Sequence, residues 1–187
     1  MADSTIDTPL VDMSDVDAQC RPLAEIPHNA KTTGPSIDAA ISTASCMAMA
    51  RADALVLTPT AESASELQSA VAPALAILDR VIETTDPEHR LVAEYAKADV
   101  LDSDAARLYA TATLSPQLDV ANVVDHKRDV AALDTMTRPW LEEAVVCRRE
   151  IAKLVYEHPE LATRNAVLAQ MVARTRITDA AGLSGRR

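Results

Sequence analysis

The chain has no phenylalanine, and aromatic side chains make up only 2% of its 187 residues. Its three glycines, Gly34, Gly182 and Gly185, all lie near the ends of the sequence. A loop that holds a phosphate group needs several glycines beside a helix start, so that backbone N–H groups can approach the ligand. The sequence therefore excludes a glycine-rich nucleotide site. Because few aromatic residues are available to line a pocket, we also expect no cofactor.

The three cysteines, Cys20, Cys46 and Cys147, are an odd number at wide spacings. This pattern is more typical of free thiols in a reducing compartment than of a disulfide framework. Cys46 and Cys147 fall within helical patterns, so we expect both to be small core residues. There is no Cys-x-x-Cys, Gly-x-Ser-x-Gly or His-Glu-x-x-His motif, and we expect no enzymatic activity.

Long apolar runs are also missing. The longest extends from Ala70 to Leu78, is interrupted by Pro73, and is too short to span a bilayer. No basic region followed by an apolar one begins the sequence, so we expect no signal peptide. These features predict a location in the cytoplasm or within an assembled particle.

Alanine is the commonest residue, and a core of Ala, Leu, Val and Ile favours closely packed helices over a sheet. We predict an all-α fold: a bundle of five or six up-and-down helices punctuated by prolines, with an extended N-terminal arm. The predicted parts are an acidic arm (1–33), a helical bundle (34–181) and a basic tail (182–187). The punctuating prolines are Pro35, Pro59, Pro87, Pro116, Pro139 and Pro159.

The clearest helix extends from Asp86 to Pro116, with Thr85 or Asp86 as a cap and Pro87 in the first turn. Apolar residues recur on one face every three or four positions: Leu91, Tyr95, Ala98, Leu101, Ala105, Leu108 and Ala112. This spacing predicts a buried seam. The charged residues are predicted to form a solvated face: Arg90, Glu94, Lys97, Asp102, Asp104 and Arg107. The segment is therefore interpreted as a strut.

The remaining helices are predicted at about 36–57, at 59–84 with Pro73 inside, and from residue 116 onwards. In the last of these, Pro139 either kinks a long helix or starts a new one, with Trp140 in its first turn. A final helix begins near His158 and is expected to end before Gly182.

Two patterns of possible ligands are candidate metal sites. Glu25 and His28 have the Glu-x-x-His spacing of di-metal helical proteins, but Pro27 lies between them. The aspartates Asp99, Asp102 and Asp104 share a helix, which supplies too few oxygens for a calcium site. We predict no metal, because the Glu-x-x-His motif has no second copy and the aspartates are interpreted as a solvated surface.

The two ends of the chain carry opposite charges, although the whole chain has a formal charge of −10. Residues 1–34 carry six acidic and two basic side chains, whereas residues 161–187 carry five arginines and one aspartate. The overall acidity argues against nucleic acid as a partner. Phosphate contacts of the arginines remain an alternative.

These observations favour a non-enzymatic structural or adaptor subunit of a larger protein assembly, of a viral or phage-like kind. Its partners would be other protein chains, as a homo-oligomer or in a multi-protein assembly. The predicted subunit contacts are Leu10, Val11, Leu23, Ile26, Arg174, Arg176, Arg186 and Arg187. The alternatives are an arm without order, an assembly or secretion chaperone that binds a client segment, and an enzyme or sensor built from distant residues.

Overall fold

The computed structural model describes residues 13–20, 34–83, 86–113, 120–164 and 166–184. Side chains are described within 13–20, 37–83, 86–112, 130–164 and 166–175. Over these ranges the chain forms seven helices and no strand, which confirms the all-α prediction. The helices are α1 (Met13–Cys20), α2 (Gly34–Asp53), α3 (Ala61–Ile82), α4 (Pro87–Thr113), α5 (Val120–Glu157), α6 (Leu161–Arg164) and α7 (Ala166–Ser184).

Helix α4 is the centre of the fold, as its periodicity predicts. Asp86 Oδ1 accepts a hydrogen bond from the Glu88 amide at 2.9 Å, and Pro87 is the first helical residue. The predicted seam is buried, except that Tyr95 is only half-buried. Residues of α4 take part in all three apolar clusters of the described core: Leu91 with α5–α7, Ala93 with α2 and α3, and Leu101 with α3 and α5.

Helix α3 starts at a polar cap. The Thr60 side chain accepts a hydrogen bond from the Ser63 amide at 3.3 Å, and Ser63 Oγ accepts one from the Thr58 amide at 3.0 Å. Pro73 lies inside the helix, as predicted, at an exposed position. Water can therefore bond the carbonyl that loses its backbone donor.

Helix α5 settles the question that the sequence left open at Pro139, because one helix of 38 residues continues through it. Pro139 is exposed, so the unpaired carbonyl one turn earlier has access to solvent. Trp140 is consequently in mid-helix rather than in a first turn, and it is buried in the cluster with Leu101 and Leu133.

At the C-terminal end, the single predicted helix is replaced by the short α6 and the longer α7. Helix α7 extends to Ser184, so the predicted end before Gly182 is wrong. A glycine costs about 1 kcal/mol inside a helix relative to alanine, and the helix continues through it here.

The N-terminal segment differs from the expected extended arm, because residues 13–20 form α1. Cys20 of α1 forms a disulfide with Cys46 of α2, 26 residues away, so the prediction of free thiols is wrong for both. Cys46 is also half-buried rather than a core residue. Arg51 supports the same junction through a bidentate ion pair with Asp17. Disulfides are typical of oxidising compartments, so the bond between Cys20 and Cys46 argues against the predicted reducing compartment.

Candidate interaction surface

Helix α5 has one buried and one exposed face over the part whose side chains are described. Residues Leu133, Ala144 and Ile151 are buried against the other helices. The opposite side of the helix is exposed or half-buried, and its residues recur every three or four positions. We call it the α5 outer face: Arg138, Leu141, Glu142, Val145, Val146, Arg149, Lys153 and Tyr156.

The α5 outer face includes large apolar side chains. Val146 is 53% exposed, Tyr156 is 88% exposed and Leu141 is 37% exposed. Single exposed apolar residues are ordinary, whereas several on one helix face mark a contact surface. The repeated spacing on α5 therefore makes this face a candidate for binding another protein.

A groove of about 1090 Å³ follows the α5 outer face, and Tyr109 of α4 forms part of its other wall. The Tyr109 hydroxyl donates a hydrogen bond to Asp134 and accepts one from Thr137 at 3.2 Å. Burial and the hydrogen bond to Asp134 raise the pKa of Tyr109 above its ordinary value, so the ring is neutral at physiological pH. These bonds fix the ring beside α5.

Ion pairs within the bundle hold α5 at a defined position against α4. Lys97 Nζ lies 2.6 Å from Asp79 Oδ1 of α3 and 2.5 Å from Glu143 Oε1 of α5. Burial alone would lower the pKa of Lys97, but its hydrogen bonds to Asp79 and Glu143 outweigh that effect and raise it. The ammonium group therefore stays charged and joins three helices.

Two further pairs join α4 to α5. Arg148 is bonded to Asp102, and Arg90 Nη2 lies 3.2 Å from Glu150 Oε2. The prediction that the charged residues of α4 form a solvated face is therefore wrong in part. Glu94, Lys97 and Asp104 are buried, because α3 and α5 cover the side of α4 that carries them.

Glu94 and Cys147 form a buried polar pair between α4 and α5. Burial raises the pKa of Glu94, although its hydrogen bond to Cys147 opposes the change. Burial and the contact with Glu94 raise the pKa of Cys147 to about 12. A thiol with so high a pKa is protonated at neutral pH and is a poor nucleophile or metal ligand. Cys147 is therefore a core residue, as predicted.

Asp104 is the buried acid with the weakest compensation. Its Oδ2 atom has no hydrogen-bond partner in the described structure, and burial raises its pKa to about 7. The positive charge of Arg107 lowers the pKa but does not overcome burial. Arg107 itself forms an ion pair with Asp53 of α2.

The three aspartates of α4 differ in their surroundings. Asp99 is exposed, Asp102 is paired with Arg148, and Asp104 is buried. Among the residues that the structure describes, no group of three His, Cys, Asp or Glu side chains could hold a metal ion. The second candidate, Glu25 with His28, lies outside the described residues.

Only some of the predicted subunit-contact residues lie in the part of the chain that the structure describes. Arg174 is exposed on α7 and lines a cavity of about 60 Å³ with Asp102 and Arg148. Arg176 lies within α7, but its side chain is outside the described set. The others lie outside the described residues: Leu10, Val11, Leu23, Ile26, Arg186 and Arg187. The structure does not show these residues together at one site.

Sequence reasoning missed the α5 outer face. The spacing of Arg138, Leu141, Val145 and Arg149 is a helical stripe in its own right. Helical spacing predicts a buried face only for the stripe on the other side of the helix, which contains Trp140. This second stripe mixes apolar and charged residues, and the sequence alone does not say whether the bundle covers it.

No protein-family model, curated protein or solved structure matches this chain. None of the helices in the described ranges is both long enough and apolar enough to cross a membrane.

Proposed function

We propose that the chain is a non-enzymatic structural or adaptor subunit of a larger protein assembly, of a viral or phage-like kind. The observation that carries the proposal is the α5 outer face, where Val146 and Tyr156 are largely exposed. Burying such residues against another protein is favourable, at about 25 cal/mol per Å² of apolar surface removed from water. The ion pairs of Lys97 and Arg148 keep α5 fixed beneath that face.

The N-terminal arm and the basic tail belong to the same proposal. Their opposite charges would let the arm of one copy bind the C-terminal region of a neighbour. In this arrangement the apolar contacts come from the arm and the charged ones from the C-terminal arginines. The contact residues are Leu10, Val11, Leu23, Ile26, Arg174, Arg176, Arg186 and Arg187.

We also propose that the chain acts within an assembled particle rather than free in the cytoplasm. The supporting observation is the disulfide between Cys20 and Cys46. Such bonds persist at virion and cell surfaces and are rare in reducing cytosol.

The test is to purify the full chain and examine it by light scattering and electron microscopy. The proposal expects rings, lattices, filaments or defined oligomers that grow with concentration. A monomer at all concentrations, with no partner copurifying from the native source, would contradict it.

The role of the arm is tested by deleting residues 1–33 and measuring the oligomeric state and its salt sensitivity. The deletion also removes Cys20, so the full-length Cys20→Ser, Cys46→Ser double variant is the matched control. Loss of assembly in the deletion alone assigns the contact to the arm. An unchanged oligomeric state and salt response would remove the arm from the proposal.

The groove beside Tyr109 favours a second function, an assembly or secretion chaperone that holds a client helix against α5. This function predicts a small, stable oligomer that does not extend further. Electron microscopy separates the two functions, because only a structural subunit forms rings, lattices or filaments by itself.

A further inference from the structure

We infer that the partner at the α5 outer face is a second copy of the chain, whose α5 lies antiparallel to the first. This inference rests on the proposed function, because it names the partner that a subunit of this kind would bind there. The two-fold axis passes between Val145 and Val146. Residues equally distant from the axis meet across the interface, as in any two-fold contact.

The centre of this interface is apolar. Val145 is half-buried and Val146 is 53% exposed, so each copy places two valines near the axis. Both valines lie within one residue of the axis, so the four valines of the two copies cluster there. Leu141 extends the apolar surface along the groove. Desolvated apolar centres of this kind supply most of the affinity in protein interfaces.

The charges beside the valines favour an antiparallel pairing. Glu142 and Arg149 are exposed on either side of the axis, so Glu142 of each copy lies opposite Arg149 of the other. A parallel pairing in the same register would instead place Glu142 against Glu142 and Arg149 against Arg149. Like charges in direct contact across an interface cost several kcal/mol, so the antiparallel arrangement is preferred.

These two residues are also available for the contact. Neighbouring charges on α5 are used inside the bundle, where Glu143 pairs with Lys97 and Arg148 with Asp102. Glu142 and Arg149 have no ion pair within the part of the chain that the structure describes. An interface can therefore use them without breaking an existing contact.

Further from the axis, one contact is unfavourable, because Arg138 of one copy faces Lys153 of the other. Lys153 Nζ lies 3.7 Å from Glu150 Oε2 of its own helix, which partly neutralises it. Both side chains are exposed, so water and salt screen the repulsion. The Glu142 and Arg149 pairs, which lie closer to the apolar centre, determine the orientation.

The test uses Glu142→Lys and Arg149→Glu in the full chain, with sedimentation equilibrium over a concentration series. Each variant places like charges at both symmetry-related contacts, so its Kd for self-association should rise at least about tenfold. An equimolar mixture should recover dimers, because the lysine introduced in one copy meets the glutamate introduced in the other. Glu66→Lys, at an exposed position of α3, is the control and should dimerise like the wild type.

Recovery in the mixture, with neither variant dimerising alone, supports the antiparallel pairing. If both variants associate with wild-type affinity, or if both are weakened and the mixture does not recover, the pairing is wrong while the proposed function stands. A wild-type chain that remains monomeric in sedimentation and in electron microscopy overturns the pairing. It overturns the proposed function as well only if no partner copurifies from the native source.

Discussion

Lys97 Nζ lies 2.6 Å from Asp79 Oδ1, so a buried ammonium group in the middle of α4 is paired with a carboxylate near the end of α3. The same nitrogen reaches Glu143 of α5. One lysine therefore joins the central helix to both neighbours. Its two acceptors are about half exposed, so water shares their charge while the lysine stem is buried.

Removing the Lys97 side chain should destabilise the bundle. We expect Lys97→Ala to lower the free energy of unfolding by about 2–3 kcal/mol, chiefly because it removes the buried lysine stem and leaves a cavity, with a smaller loss from the two partly exposed ion pairs. Lys97→Met keeps the apolar stem and should cost less than about 1 kcal/mol, since both carboxylates retain access to water. Urea unfolding at neutral pH measures both. Equal losses in the two variants would show that the ammonium group, rather than packing, determines the effect.

Asp104 should make stability depend on pH. Its pKa is raised from 3.8 to about 7 in the folded chain, so the unfolded chain ionises first as pH rises. Folding is therefore favoured below pH 4 by this group, and that contribution is lost progressively between about pH 4 and pH 7. Asp104→Asn should raise the free energy of unfolding by about 2–4 kcal/mol at pH 8 and by little at pH 4.

The measurement for Asp104 is urea unfolding of the wild type and the variant across this pH range. Asp99→Asn, at an exposed position of the same helix, is the matched control and should leave the pH profile unchanged. A profile that Asp104→Asn does not alter would contradict the assignment.

The disulfide between Cys20 and Cys46 predicts how many cysteines an alkylating reagent can modify before and after reduction. Under denaturing conditions without a reductant, an alkylating reagent should modify one cysteine, and after reduction it should modify three, as read by mass spectrometry. The free energy of unfolding of the Cys20→Ser, Cys46→Ser variant should be about 3 kcal/mol lower than that of the wild type. The reason is that the disulfide closes a loop of intermediate length in the unfolded chain. Modification of three thiols before reduction would contradict the pairing.

Cys147 should resist thiol reagents in the folded chain. It is buried beside Glu94, and its pKa is raised to about 12, so little thiolate is present at pH 8. Labelling should begin only when the chain unfolds, which a urea series with mass detection can follow. Fast labelling of the native chain at pH 8 would show that the thiol is accessible.

The parts of the fold that were predictable depend on local chemistry. Pro87 and Asp86 define the start of α4 through backbone geometry and a cap, and neither needs a distant residue. The seam that includes Leu101 and Leu108 follows from helical spacing alone. The structure confirms these features because any compact fold that contains this helix must bury its apolar stripe.

The candidate site was much less predictable. A solvated face was expected for Glu94, Lys97 and Asp104, because isolated charges on a helix are exposed in most proteins. Their burial depends on residues of other helices, such as Asp79 and Cys147, that come close only in the folded chain. The predicted arm and tail contacts lie largely outside the described residues and stay predictions.

The sequence by itself determined that this chain is helical, where α4 begins, and which stripe of it is buried, because those properties depend on residues within one turn of each other. Only the tertiary structure decided that Cys20 meets Cys46, that Glu94, Lys97 and Asp104 of α4 are buried, and that the α5 outer face is exposed. Each of these depends on which helices become neighbours, and helix packing is decided by the summed surfaces of the whole bundle rather than by any local pattern.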